Sequence, residues 1–174
     1  SSSFSSILGG ENNSLSRSYA STIVGGQGNG ITGSGASFIV GGSTNQVFLD
    51  NLPGTYLFNG IVGGVSNLIT GSYIDRSIIV GGGSNKIFSD LSNTDYGTIC
   101  GGISNRIQDS IIASIVGGSS NIIESVGNTI STGFASIGGG FSNKIKGITG
   151  AYGTSIVGGY ANEITGSGGT SNIL

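Results

Sequence analysis

The 174-residue sequence has no histidine, no methionine and one cysteine, and only 14 residues are charged, 6 Lys or Arg and 8 Asp or Glu. Without histidine it can form neither a Ser-His-Asp or Cys-His catalytic set nor a histidine-based zinc site, and a single cysteine makes no internal disulfide. The cations Arg17, Arg76, Lys86, Arg106, Lys144 and Lys146 are spread along the sequence. They form no basic stripe of the kind that binding nucleic acid by counterion release requires. No apolar run approaches the ~18 to 20 residues that cross a bilayer, because Gly-Gly pairs or polar residues interrupt each one. Neither nucleic acid nor membrane insertion is expected. The missing Met and the lack of a charged-then-apolar leader predict a piece of a longer chain.

Glycine is abundant, at 36 positions, about three times its usual share. It is accompanied by many Ile and Val residues, a net charge of −2 and a positive mean hydropathy. A disordered chain is poor in branched apolar residues and highly charged, so this composition predicts folding.

The glycines fall in pairs. These begin at Gly9, Gly25, Gly41, Gly63, Gly81, Gly101, Gly117, Gly139 and Gly158, giving successive periods of 16, 16, 22, 18, 20, 16, 22 and 19 residues. Two positions before each pair stands Ile: Ile7, Ile23, Ile39, Ile61, Ile79, Ile99, Ile115, Ile137 and Ile156. Four positions after each first Gly stands Asn: Asn13, Asn29, Asn45, Asn67, Asn85, Asn105, Asn121, Asn143 and Asn162. An aliphatic residue follows two further on, from Leu15 and Ile31 to Ile164. The unit I-V-G-G-x-S-N-x-I is a structural repeat. Ser171 to Leu174 matches the approach to the first pair, and neither end has the polar cap that a solenoid needs. Residues 1–174 are therefore expected to be a single repeat array continuing beyond one or both ends.

β-branched residues favour strands, and Gly and Asn supply the positive φ of tight turns. Each unit thus predicts a short strand, a turn and a second short strand, one coil of an all-β parallel β-solenoid of about nine to ten coils. Stacked at about 4.8 Å, the coils would form a rod on the order of 45 Å long. The position after the first Ile is also apolar: Leu8, Val24, Val40, Val62, Val80, Cys100, Val116 and Val157, with Gly138 the exception. Neighbouring strand residues point to opposite faces, so both faces of this sheet call for burial. The second face needs a wider interior or another chain. Another chain is the preferred expectation, with a homotrimer as the closed solution for a fibre. Cys100 in this column is expected to be a small apolar filler.

Segments such as Asn29-Gly30-Ile31-Thr32-Gly33 followed by Ser37-Phe38-Ile39-Val40-Gly41-Gly42, and Asn162-Glu163-Ile164-Thr165-Gly166, resemble the N-x-A-x-G-x-x-S-x-A-x-G repeat of YadA-like heads of trimeric autotransporter adhesins. Similar repeats occur in phage and viral tail fibres. The resemblance covers the whole chain. It implies a left-handed β-roll, three chains about one axis, and an extracellular, cell-surface or virion-surface location.

The regular Asn predicts either an amide ladder along the solenoid or a turn residue tolerant of left-handed backbone, the latter preferred. No metal or cofactor is expected, since Gly25-Gly26-Gln27-Gly28-Asn29 has Asn where the calcium-binding repeat has Asp. The connections between units carry the candidate contact residues Tyr56, Phe58, Tyr73, Asp95, Tyr96, Phe134 and Tyr152. Tyr beside Asp or Asn suits sugar stacking or polar protein contacts. The alternative is that these rings cap the roll or pack between chains. Asn12-Asn13-Ser14 is a weak glycosylation sequon.

The favoured expectation is a non-enzymatic fibre or adhesin segment, with self-association and a cell-surface glycan or protein receptor as partners. The alternatives are an ice-binding solenoid, for which the repeats lack a Thr-x-Thr column, and a polysaccharide-active tail-spike segment. For the latter, Asp90 with Asp95 or Asp50 with Asp75 are the loose carboxylate pairs.

Overall fold

Ile two residues before each Gly-Gly pair, β-branched and extended, sits in a short parallel strand such as Thr22–Ile23, Phe38–Ile39, Ile78–Ile79 or Thr98–Ile99. These strands stack so that Ile lies on Ile, in the register Ile7↔Ile23, Ile23↔Ile39, Ile79↔Ile61, Ile79↔Ile99, Ile99↔Ile115 and Ile137↔Ile156. The computed structural model describes residues 3–50, 57–72, 74–90, 94–125, 132–147, 151–166 and 169–174. Over them the chain is an all-β parallel β-solenoid.

Among the described residues a second parallel sheet of nine strands runs from Ser14–Ser16 to Glu163–Gly166. It stacks the other aliphatic position, with pairs such as Leu15↔Ile31, Val47↔Ile69 and Ile107↔Ile123. Between the two sheets each turn contributes one residue to a ladder of single bridges, from Glu11↔Gln27 to Phe141↔Tyr160. Every coil therefore hydrogen-bonds its neighbours along three lines. Because the coils have unequal lengths but equal Ile, Gly-Gly and Asn offsets, the extra residues are left to the connections.

The core is two facing columns. Ile23, Ile39, Ile61, Ile79, Ile99, Ile115, Ile137 and Ile156 meet Ile31, Val47, Ile69, Ile87, Ile107, Ile123 and Ile145, all at 0% exposure. Leu49 and Ile74 add to it from the wider coils. The Val column stays outside. Val24, Val40 and Val80 are 42% exposed, Val116 58% and Val157 59%. Of the two expected solutions, a wider interior is thus not the one adopted. Cys100, in the same column, is exposed rather than packed as a filler within its own chain.

The turn also differs from expectation. Left-handed backbone does not fall on the repeated Asn. It falls on the second Gly of each pair, with φ from 81 to 102°, and on the residue just before Asn, as at Thr44 (φ 54°), Ser66 (φ 56°) and Ser84 (φ 54°). Asn is needed for its side chain, which the turn directs inward. At Gly82 a Cβ would collide with the Gly102 carbonyl of the next coil and the Asn85 amide. The second Gly is therefore obligatory on two counts.

Candidate functional site

The repeated Asn builds a hydrogen-bonded spine. Asn67 Nδ2 donates to Gly63 O and to Gly82 O of the next coil, each at 3.0 Å, while Asn67 Oδ1 accepts the Asn85 backbone N–H at 3.0 Å. The pattern repeats at Asn29, Asn45, Asn85, Asn105, Asn121 and Asn143. Asn13 opens it and Asn162 ends it, with Nδ2 bonds to Gly9 O and Gly158 O. The links run from side chain to backbone: they satisfy the first glycine's carbonyl and the next Asn N–H, and they add a second donor to the second glycine's carbonyl, as at Gly82 O, which also accepts Val65 N–H.

A second polar line, invisible in the Gly-Gly pattern, lies four residues before each pair. Ser5 Oγ accepts Ser21 N–H, Ser21 Oγ accepts Ser37 N–H, Ser37 Oγ accepts Asn59 N–H, Asn59 Oδ1 accepts Ser77 N–H, and Ser77 Oγ accepts Gly97 N–H. Where this position becomes Ala113 and Ala135, the strands extend instead to Ile111–Ile115 and Thr132–Ile137. A polar side chain here competes with strand pairing, and alanine does not.

Three outward surfaces remain. The first joins the exposed Val column to the first Gly of each pair. A Cβ built on Gly25, Gly41, Gly63, Gly81, Gly101, Gly117, Gly139 or Gly158 meets nothing within 4 Å, and none of these glycines has positive φ. The chain itself does not require glycine at this position. The bridge column beside it ends in Phe141 and Tyr160, stacked with centroids 5.5 Å apart.

The second surface is a ridge along one corner, five residues before each pair. The registers Gly60↔Ile78, Ile78↔Thr98, Thr98↔Ser114, Ala113↔Ala135 and Gly133↔Tyr152 place Phe58, Arg76, Tyr96, Ile112, Phe134 and Gly153 on successive coils. The candidate contact residues Phe58, Tyr96 and Phe134 come together here, and all three are exposed. The sequence reading missed Arg76 and Ile112, whose constant offset from Gly-Gly was the available signal. Arg76, Tyr96, Ile112 and Phe134 all have left-handed backbone, φ 50, 56, 50 and 56°. This conformation costs an L-residue about 1–2 kcal/mol, and a β-branched residue such as Ile112 is a clear outlier there. Tyr56 and Tyr73 lie outside the described residues. Asp95 and Tyr152 are placed in strands opposite Asp75 and Gly133, but their side chains lie outside the description.

Arg76 ties the ridge together. Its guanidinium lies 5.2 Å from the Tyr96 ring centroid, Nη1 donates to the Tyr96 hydroxyl, and Nε is 3.3 Å from Asp75 Oδ2. Asp75 Oδ1 accepts the backbone N–H groups of Phe58 and Arg76 at 3.0 and 2.9 Å. This carboxylate is engaged in holding the corner. Asp90 is exposed, and its backbone N–H donates to Asp109 Oδ1.

The structure brings cations that are dispersed in the sequence onto the outer face of the second sheet. Lys86 is in register with Arg106, Lys144 with Ile122, and Lys146 with Glu124. Glu124 lies 2.7 Å from both Arg106 and Lys144, linking three coils. Lys86 Nζ lies 4.1 Å from the Phe88 ring centroid. Burial alone would raise the Glu124 carboxyl. The hydrogen bond and charge of Lys144, then the charge and hydrogen bond of Arg106, outweigh burial and hold its pKa below the ordinary value. Among the described residues no group of three or more His, Cys, Asp or Glu could hold a metal ion.

These features define a class, the parallel β-solenoids with a rigid hydrogen-bonded spine. No protein-family model, curated protein or solved structure matches the chain.

Proposed function

We propose that the chain is a non-enzymatic segment of a structural fibre or adhesin, a stiff shaft of about nine to ten left-handed coils that works as a homotrimer at a cell or virion surface. The observation that carries this reading is the Val–Gly face. An exposed apolar column repeats in register along the rod, beside a glycine that neither backbone conformation nor internal packing demands. Leaving apolar side chains in water forgoes about 25 cal/mol per Å². A neighbour that approaches the backbone closely explains both the Val and the missing side chain. The neighbour must repeat with the coil rise, as a second copy of the chain does. The adhesin-head resemblance supports the same arrangement, and the connections between coils then supply contacts to a glycan or protein receptor.

The test is the native mass of the 174-residue chain by light scattering or native mass spectrometry. Three times 17.2 kDa is expected. A monomer at micromolar concentration would remove the fibre reading.

A further inference from the structure

The ridge from Phe58 to Phe134 combines three properties that internal packing does not explain. Its side chains are large and exposed, from 38% at Ile112 to 63% at Phe134. Four of them sit on left-handed backbone, where Gly153 in the same column, at φ 66°, shows that glycine fits. They occupy successive coils in an unbroken line, between Ala36 on one side and Gly153 on the other. Strained residues whose side chains face water are kept for something outside the chain.

Spacing and charge identify the chemistry of that partner. One large side chain per coil gives a repeat of about 4.8 Å, whereas a peptide strand laid along the ridge presents same-face residues about every 6.6 Å and falls out of step. An extended polysaccharide, with a ring-to-ring repeat close to the coil rise, stays in step; a second copy of the chain would too, but the Val–Gly face takes that copy in the fibre reading. The aromatic faces of Phe58, Tyr96 and Phe134 suit the C–H faces of pyranose rings, with Ile112 as an apolar shelf between them. The one cation of the ridge, Arg76, is paired with Asp75. The ridge thus offers no net positive charge to an anionic glycan.

We propose that this ridge binds a neutral, extended polysaccharide strand along the solenoid axis, one sugar ring per coil. This rests on the surface-attachment reading above and names its receptor class. The test is affinity electrophoresis of the whole chain through gels containing β-1,4-mannan, arabinoxylan or mixed-linkage β-glucan, with polygalacturonate as the acidic control. At least one neutral polymer should retard the protein. Phe134→Gly and Tyr96→Gly should each weaken the apparent affinity roughly tenfold, and Phe134→Gly should hold or raise Tm because glycine relieves the left-handed strain. Phe141→Ala, an exposed aromatic off the ridge, should bind as the unaltered chain does.

The proposal fails if no neutral polymer retards the chain, or if polygalacturonate alone does. It also fails if the ridge variants bind as well as Phe141→Ala, or if Phe134→Gly loses Tm, which would make that ring a packing element. A monomer retarded through Phe134 would remove the fibre reading and leave the ridge. A trimer that no neutral polymer retards would do the reverse.

Discussion

The two glycines of each pair look identical in the sequence and do different work. Gly82 has φ 81°, and a Cβ there would strike the next coil's carbonyl; Gly81 has neither constraint. Gly82→Ala should therefore unfold or severely destabilise the chain, by about 3 kcal/mol or more from strain and overpacking. Gly81→Ala should leave monomer stability within about 0.5 kcal/mol yet weaken chain association, as read by denaturant midpoint and native mass side by side. A Gly81→Ala chain that keeps the native mass of the unaltered chain would show that the face is not an interface. Asn85 is the other decisive residue type. Asn85→Ala strips the partners from Gly81 O and Asn105 N–H, while Gly102 O keeps the Gly83 backbone N–H. At about 1–3 kcal/mol per orphaned group, a loss of about 2 kcal/mol or more in urea unfolding is expected.

At the scale of the element, the strands are short because polar side chains take over backbone groups that a longer ladder would use. Ser21, Ser37, Asn59 and Ser77 do this on one line, and the repeated Asn on another. Across coils of the second sheet, Glu124 replaces that service with charge, joining Arg106 and Lys144. Its folded-state pKa lies below its ordinary value, so its contribution is fully present above the unfolded pKa and is lost as pH falls through the lowered folded value. Tm followed downward from neutral pH through the glutamate range should fall less steeply for Glu124→Gln than for the unaltered chain. Identical profiles would show that the pair contributes nothing measurable. The Ile, Gly-Gly and Asn offsets made the strands and the spine position legible, since they recur without exception. The Ser line was harder to see, because Ser, Asn, Gly, Ala and Thr alternate there and only their shared burial unites them.

For the whole molecule, parallel stacking in register converts a sequence offset into a line on the surface. Cys100 lies on the exposed Val line, so in a parallel, in-register trimer the Cys100 thiols of neighbouring chains face a common axis. Mild oxidation of the native protein should then give a covalently linked pair of chains on non-reducing gels. Cys100→Ser should abolish the band. If the native mass is trimeric but no cross-link forms, the Val line is not the contact.

What the sequence determined by itself was the coil: β-branched Ile before a glycine turn, then Asn, at offsets constant enough to force parallel stacking whatever the connection length. Which apolar column goes inside was decided only by the tertiary structure, because alternation separates Ile from Val without saying which faces the core. The tertiary structure also placed the left-handed residue one position before Asn, because the Asn amide must reach carbonyls on two coils. It likewise lined up Phe58, Arg76, Tyr96, Ile112 and Phe134, residues 16 to 22 apart in the sequence, since adjacency in a solenoid runs from coil to coil and not along the chain.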